Sequence, residues 1–471
     1  SEVELNTFPT DEGSPADAEA CNDKAPCVMQ PTTDRPPSRW TQLCLSSIAQ
    51  HFLTLKVAPV ELWLVYLLKF LESYAYFSFS IIFPIYLTQE FGLTDLEAGV
   101  MYGAYGMLTS LYGFVMGFAV DNLGVKMSLV VGSILQLGSR LLLTFSGSRF
   151  VVKAIIYTLL PMGSALQIPV MTLGIRRYTN DTNRSFAYSL FYAVMNVAAL
   201  LSGWLVDLLR HWQDALPTAH HNNCAAIEDV SMGNMHAISD LSVYRWILFS
   251  GVVSTLLGLV VSVFAMREID VDNNNAVSAF QPHRGSPFSI IREILMTTRF
   301  WRFLLFIGLL TGVRLVFRHL DATLPKYLTR TLGCGAPYGT VYSINPAMII
   351  ILVPLIGAYT QHIQPYPMIK YGTWVSGLSL FFLAFGGPHL WPSVCFVVVL
   401  SLGEAIWSPR LYEYTAMIAP KGREGTYAAL CSAPFFVAKL GAGALSGVVF
   451  QWFCPCIRSD CDPCCASGRL P

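Results

Sequence analysis

Charged side chains inside long apolar segments are the residues of this chain best suited to chemistry. On insertion scales an ionisable group at the bilayer centre costs about 2.5–3.5 kcal/mol, so it needs a function or a partner. The charged residues inside the apolar segments that we single out are Lys69, Glu72, Arg140, Arg314, Arg318, Asp321, Glu404 and Lys439. A carboxylate whose burial and neighbours change can bind and release a proton, and the candidates for proton coupling are Glu72, Asp321 and Glu404. For Glu72 the alternative is a structural ion pair between helices.

Other side chains in these segments could contact a polar solute. Arg314 and Arg318 have i, i+4 spacing on one helical face, and Asp321 follows three residues later. One guanidinium could hold a solute carboxylate while the other pairs with Asp321, although a salt-bridge ladder fits the same spacing. The remaining candidates for solute contact are Tyr76, one turn after Glu72, and the amides Asn196 and Asn345. An intramembrane Asn can also join two helices.

Eleven apolar segments must position these side chains. Of the 471 residues, 54% are hydrophobic and 13% are charged, and the mean hydropathy of +0.50 indicates a protein that lies mostly in lipid. Apolar runs long enough to span a bilayer predict helices near 60–84, 96–120, 127–147, 151–174, 186–209, 243–266, 301–325, 338–362, 367–386, 391–415 and 426–451. A polar gap divides the chain into a bundle at 56–266, a cytoplasmic linker at 267–300 and a bundle at 301–453. The sequence thus predicts an all-α membrane protein with two six-helix halves, the twelfth helix being absent from this chain.

The two ends and the loops of the chain carry further information. Residues 1–55 begin acidic and become rich in Pro, a composition that predicts a disordered tail, which could bind a protein partner. This composition is unlike that of a signal peptide. Residues 454–471 are rich in Cys and favour disulfides, with a zinc site at Cys461 and Cys464 as the weaker alternative. Lys and Arg are concentrated in alternate loops, and the positive-inside rule therefore predicts a cytoplasmic N-terminus.

The loop between the second and third segments has a distinctive pattern, Gly117-Phe-Ala-Val-Asp121-Asn-Leu-Gly124-Val-Lys126. Gly117 and Gly124 allow a tight turn and close backbone approach, Asp121 can meet a helix N-terminus or a base, and Lys126 can anchor at lipid headgroups. The pattern resembles the signature loop of the major facilitator superfamily. This resemblance implies that the loop takes part in conformational change in a transporter.

Several segments also resemble motifs of the proton-dependent oligopeptide transporter family. They are Phe70-Leu-Glu72-Ser-Tyr74-Ala-Tyr76 in the first segment, Ser185–Asn196 in the fifth, Ile344-Asn345-Pro346 in the eighth, and Gly403-Glu404 with Ser408-Pro409 in the tenth. The resemblance implies solute contact for Asn196 and Asn345. Lys69 and Ser73 stand where the family's first motif has Glu and Arg, and Ile168 stands where the family has Lys before a Pro. Proton coupling would therefore depend on a rearranged set of charges.

These patterns predict a secondary active transporter that moves a small polar organic solute, a peptide or an amino acid, by proton symport and alternating access. Its expected partners are the solute, protons and the lipid bilayer, and its expected location is the plasma membrane or an endolysosomal membrane. A facilitative carrier, or a receptor or structural subunit with a transporter fold, is the alternative. The chain has no catalytic motif or phosphate loop, so we expect no enzyme activity, cofactor or metal. Its formal net charge of zero gives no basis for binding nucleic acid.

Overall fold

The computed structural model describes most of the apolar part of the chain. The described residues are 55, 58–179, 184–214, 241–271, 277–279, 296, 298–333, 335–360, 363–418 and 424–453. The predicted N-terminal tail apart from Leu55, the Cys-rich segment at 454–471 and most of the predicted linker lie outside these residues.

The first six helices form what we call the N-half. They are α1 (Val60–Phe91), α2 (Asp95–Phe145), α3 (Arg149–Tyr157), α4 (Leu159–Arg177), α5 (Arg184–Asp214) and α6 (Val243–Phe264). A short antiparallel hairpin follows, in which β1 (Ile269–Val271) pairs with β2 (Val277–Ala279). This hairpin is a small addition to the helical fold and lies in the predicted linker.

The remaining helices form what we call the C-half. They are α7 (Thr298–Ala322), α8 (Leu324–Leu332), α9 (Tyr338–Tyr359), α10 (Pro365–Leu378), α11 (Leu380–Phe385), α12 (Leu390–Ile418) and α13 (Glu424–Phe453). Among the described residues of both halves, eight helical segments are long and apolar enough to cross a membrane. The predicted class, an all-α membrane protein, is therefore confirmed.

Local sequence signals explain where the first spans begin and end. Gly92 ends α1 in the left-handed conformation, with φ of +56°, which costs glycine little. Thr94 and Glu97 then form a capping box at the start of α2, because each side chain accepts a hydrogen bond from the backbone N–H of the other. Gly124, with φ of +79°, interrupts α2, and Leu123–Phe145 is a separate candidate span. The predicted second and third segments are thus joined by a tight turn.

Successive spans run in opposite directions, which defines two sides of the molecule. We call the side where α1 ends, near Gly92, the distal side, and the side where α1 begins, near Val60, the proximal side. A buried apolar cluster on the distal side includes residues of both halves, among them Tyr86, Tyr102, Leu328, Tyr338 and Phe396. A second buried apolar cluster lies on the proximal side. Its described residues belong to the N-half or to the chain just before and after it, and they include Leu62, Val125, Leu129, Val170 and Met171.

Small residues bring the two halves together on the distal side. Helix α2 packs against α13, and α5 packs against α9. A Cβ added at Gly99 would lie 2.2 Å from the Gly443 carbonyl oxygen, and one added at Gly203 would lie 2.4 Å from the Gly339 carbonyl oxygen. Because only glycine permits such approach, these positions fix which helices meet across the interface.

Candidate functional site

A buried ion pair lies at the centre of the N-half. Arg140 of α2 donates from Nη1 to Glu72 Oε2 over 3.3 Å and from Nη2 to Glu72 Oε1 over 3.4 Å, and it also donates to the Thr255 hydroxyl of α6. The side chains of Arg140 and Glu72 are only 6% and 7% exposed. The motif resemblance places a base beside the acid on the same helix, whereas here the base comes from a different helix. The sequence predicts Arg140 as an intramembrane charge but does not indicate its partner.

Polar groups of four helices surround this ion pair. In the orientation that satisfies both ends of its amide, Gln167 of α4 donates to Glu72 Oε2 over 2.8 Å and accepts from Ser133. A cavity of about 20 Å³, lined partly by Glu72, Ser133, Gln167 and Thr255, has room for about one water molecule. One turn before Glu72, the Lys69 ammonium lies 4.8 Å from the centre of the Phe191 ring of α5. The N-half therefore compensates these buried charges internally.

A second group of polar residues connects the two halves. Ser80 of α1 donates to Asp321 Oδ2 of α7 over 2.7 Å, and Arg318 lies 3.7 Å from the same carboxylate oxygen. Lys439 of α13 donates to the Tyr76 hydroxyl of α1 over 3.2 Å. We call these five residues the central cluster. They bring together three sequence candidates, Tyr76, Arg318 and Asp321.

A third group lies within the C-half and contains the other candidates of that half. Asn345 of α9 donates to Glu404 Oε2 over 2.8 Å and to the Ser401 hydroxyl over 3.0 Å, both in α12. The Arg314 guanidinium lies 4.9 Å from the centre of the Trp407 ring. Glu404 interacts electrostatically with Arg314 and with Arg318. This C-half cluster thus places a carboxylate, an amide and a guanidinium near one another.

Asn196 is the candidate that the structure does not join to these groups. It is 7% exposed and donates to the Tyr192 carbonyl oxygen of its own helix, α5, over 2.9 Å. That contact is a local hydrogen bond of the kind that polar side chains make within apolar helices.

The predicted conformational loop is held by an acid that the sequence gave no reason to single out. Glu268, just after α6, accepts from the backbone N–H of Val125 over 2.8 Å and of Lys126 over 2.6 Å. A Cβ at Gly124 would lie 2.5 Å from Glu268 Oε1, so glycine is needed both for the positive φ and for this approach. Arg177 of α4 pairs with Glu268 over 3.4 Å. The side chains of residues 117–122, which include Gly117 and Asp121, lie outside the described residues.

Two aspartates that sequence reasoning also passed over link the halves on the distal side. Asp95, at the start of α2, accepts from Lys326 over 2.7 Å and from Arg330 over 2.8 and 2.9 Å, both in α8. We call these three residues the distal latch. Burial of Asp95 favours its neutral form, but Lys326 and Arg330 outweigh burial and hold the pKa of this carboxyl below its usual range.

The second aspartate joins α5 to α9. Asp207 accepts from the backbone N–H groups of Gly339, over 3.1 Å, and Thr340, over 2.7 Å, at the start of α9. An acid at a helix N-terminus is favoured by the helix dipole as well as by these hydrogen bonds. Three residues later Arg210 donates to the Ala336 carbonyl oxygen over 2.8 Å. Asp207 lay inside the predicted fifth segment, and this position was the signal that could have identified it.

Comparisons with known proteins agree with this architecture. The family model of the Major Facilitator Superfamily matches residues 65–442. A peptide transporter POT solved in complex with sulfate is similar at 18% identity, with a TM-score of 0.60 over 84% of this chain and 89% of that chain. An auto-inhibited POT family peptide transporter is similar at 12% identity, with a TM-score of 0.65 over 83% and 89%. A structure from work on substrate recognition in proton dependent oligopeptide transporters is similar at 16% identity, with a TM-score of 0.62 over 85% and 91%.

These structural similarities establish the fold alone, because the sequence identities are too low for function to be carried over from these proteins. No curated protein sequence matches the chain.

Proposed function

The chain belongs to the major facilitator superfamily, and from this membership we propose that it moves a small polar organic solute, a peptide or an amino acid, by proton symport and alternating access. It is an integral, multi-pass membrane transporter and not an enzyme. The observation that carries the proposal is the position of Asp321, a buried carboxylate whose partners come from both halves.

Asp321 is suited to couple a proton to movement because its surroundings depend on how the halves meet. Arg318 belongs to the same helix, whereas Ser80 belongs to α1 of the other half. A movement that separates α1 from α7 removes the Ser80 donor, and a carboxylate that loses a donor takes up a proton more readily. Proton binding would in turn favour the arrangement in which Ser80 is absent, since a ligand shifts an equilibrium toward the state it binds better.

The other two proton-coupling candidates have partners within a single half. Glu72 pairs with Arg140 inside the N-half, and Glu404 accepts from Asn345 inside the C-half. If the halves move as rigid bodies, these contacts persist, and only a change in water access would alter the proton affinity of either acid. Among the three acids we therefore assign the main coupling role to Asp321.

The C-half cluster supports a solute that carries both charges. Arg314 offers a guanidinium that can hold a carboxylate, and Glu404 offers a carboxylate that can hold an ammonium group. The Asn345 amide lies beside Glu404 and could bind a further polar group of the solute. A free amino acid or a short peptide has these two charges and polar amide groups.

We also propose that the N-terminus faces the cytoplasm and that the protein lies in the plasma membrane or an endolysosomal membrane. The proposal for orientation rests on the concentration of Lys and Arg in alternate loops. On this orientation the proximal side is cytoplasmic. The acidic tail at 1–55 would then be available to a cytoplasmic protein.

The test is uptake of labelled amino acids and dipeptides into proteoliposomes, with and without an inward proton gradient. We would compare the native chain with Asp321→Asn, Glu404→Gln and Glu72→Gln. The matched control is Glu97→Gln, because Glu97 is an exposed carboxylate and Gln can still form the capping box.

Gradient-driven uptake that Asp321→Asn abolishes and Glu97→Gln preserves would support symport through Asp321. Uptake that ignores the gradient in the native chain would reject symport and favour the facilitative carrier. No uptake of any solute by folded protein would favour the receptor or structural alternative.

A further inference from the structure

Lys439 is a buried cation surrounded by aromatic rings. Its side chain is in the middle of α13, and the residue is 4% exposed. The ammonium nitrogen lies 4.5 Å from the ring centre of Tyr102, 4.8 Å from that of Tyr105 and 5.3 Å from that of Tyr76. Lys439 forms no ion pair with any of the described residues. Its charge is therefore stabilised by the ring faces and by the Tyr76 hydroxyl.

The cage belongs to one half of the molecule and the cation to the other. Tyr76 lies on α1, and Tyr102 and Tyr105 lie on α2, whereas Lys439 enters from α13 of the C-half. Gly106 makes room for the lysine stem, because a Cβ there would lie 2.2 Å from Lys439 Cδ. We call Tyr76, Tyr102 and Tyr105 the tyrosine cage. It is complete without Lys439, since all of its rings come from the N-half.

Opening of the distal side would separate the cage from its cation. Helices α2 and α13 meet in their distal parts, where a Cβ at Gly103 would lie 2.7 Å from Leu440 Cα. When these helices part, Lys439 leaves with α13, while the three rings stay together on the N-half. The ring faces then border the path that leads in from the distal side, and they keep their attraction for a cation.

We propose that the tyrosine cage binds the primary ammonium group of the transported solute in the distal-open state, and that Lys439 replaces this group when the distal side closes. This proposal rests on the proposed transport function and narrows its substrate to amines. The Tyr76 hydroxyl accepts a hydrogen bond from Lys439, and a primary ammonium can donate the same bond whereas a quaternary one cannot.

The exchange gives Lys439 a role in moving the solute. In the closed arrangement the lysine ammonium fills the cage, so a solute ammonium must leave it as the halves come together. The C-half cluster, with the Glu404 carboxylate, is then available to that group. The Lys439 ammonium thus occupies the place of the solute ammonium whenever the distal side is closed.

The first experiment replaces the lysine side chain by a free amine. In the full-length Lys439→Ala chain, the missing atoms correspond to n-propylammonium, and propan-1-ol is the neutral probe of similar size. We expect the purified chain to bind n-propylammonium at least about tenfold more tightly than propan-1-ol, a difference of about 1.4 kcal/mol. The control Lys153→Ala removes an exposed lysine but leaves Lys439 to fill the cage of the closed state, so its preference for n-propylammonium should be weaker. Equal affinity for both probes in Lys439→Ala would overturn the cage.

A second variant keeps the test decisive if Lys439→Ala does not fold. Asp95→Asn removes the acid of the distal latch and favours the open distal side while leaving Lys439 intact. This chain should bind n-propylammonium, and adding Tyr102→Leu should weaken that binding by about tenfold or more, in keeping with the loss of a desolvated cation–ring contact. Binding that is absent from Asp95→Asn, or that is unchanged by Tyr102→Leu, would overturn the proposal.

The transport assay separates this proposal from the transport function itself. If amines are transported, Tyr102→Leu should raise the KM for an amino acid or dipeptide at least about tenfold, and the N-acetylated forms should be poor substrates of the native chain. Equal uptake of free and N-acetylated solutes would overturn the amine assignment and leave transport standing. If nothing is transported, the proposed function fails, and the n-propylammonium comparison still decides whether the cage binds amines.

Discussion

The distal latch offers a direct prediction about the conformational equilibrium. Asp95→Asn removes the negative charge that faces Lys326 and Arg330, whose side chains are only 5% and 11% exposed. The closed state then holds two nearly buried cations without their acid, whereas an open state would return them to water. Truncating one partner of a buried, hydrogen-bonded charge pair costs about 2–5 kcal/mol. Because the Asn carbonyl oxygen can still accept a bond, we take the lower part of this range, about 2–3 kcal/mol.

This energy corresponds to a large change in how often the distal side opens. At 1.4 kcal/mol for each factor of ten, the open population should rise about 30- to 150-fold. The reporter is Ser343→Cys, because Ser343 is 1% exposed and bonds to the Leu200 carbonyl oxygen across the interface. A maleimide reaches this thiol only when α5 and α9 separate. The labelling rate should therefore follow the open population.

The measurement must be specific to residue 343, because the sequence contains 12 cysteines. Peptide mass spectrometry at timed intervals gives the rate at that residue alone. The matched control is Lys153→Ala, which breaks a pair on the same side of the molecule whose two members are 40% and 47% exposed and both lie in the N-half. Such a surface pair contributes at most about 1 kcal/mol and does not bridge the halves. If Asp95→Asn labels residue 343 no faster than Lys153→Ala does, the distal latch does not hold the halves together.

Three further predictions concern pH, the buried ion pair and the loop glycine. Because the pKa of Asp95 is held below its usual range, the latch should be intact above the usual carboxyl pKa of 3.8 and be lost as pH falls through the lower folded value. Only the thiolate reacts with maleimide, so the labelling rate at residue 343 is divided by that of a free thiol at the same pH. A rise in this ratio between pH 7 and 5 in the native latch, but not in Asp95→Asn, would contradict this reasoning. Arg140→Leu should lower stability, measured by thermal denaturation, by about 3–5 kcal/mol, because it leaves the Glu72 carboxylate buried without its cation. Adding Glu72→Gln should recover most of this loss. An equal loss in the double variant would show that the ion pair is not the cause. Gly124→Ala should lower stability by more than about 1 kcal/mol, because φ at this position is +79°. The control is Gly138→Ala, whose added Cβ has no neighbour within 4 Å and which should be neutral or stabilising by up to about 1 kcal/mol. Equal effects of the two substitutions in the same denaturation assay would contradict the argument.

Features that depend on neighbouring residues along the chain were predictable. The apolar runs predicted the helices, because a span needs only enough apolar residues in succession and satisfies its backbone internally. The Gly-containing loop predicted a tight turn, and Gly124 has the positive φ that only glycine adopts freely. Arg318 and Asp321 lie three residues apart on one helix, so helical spacing alone brings their charges within reach.

Features that depend on the rotation and contact of separate helices were not predictable. Glu72 meets Arg140 over a sequence separation of 68 residues, and its helix-one neighbourhood gave no sign of that partner. Glu268 reaches the N–H of Val125 over 143 residues. In lipid these contacts are selected by close packing at small residues and by the need to pair every buried charge.

The sequence by itself determined that this is a helical membrane protein, where its spans and its tight turn lie, and which few charges require an explanation. The tertiary structure alone decided which charges meet. It placed Asp321 against Ser80 of the opposite half, closed the distal side through Asp95, and set Lys439 into a cage whose Tyr76 lies 363 residues away. The physical reason is one of range: hydrophobicity and helical periodicity act between near neighbours in the chain, whereas the partner of a buried charge is fixed by how two distant helices pack.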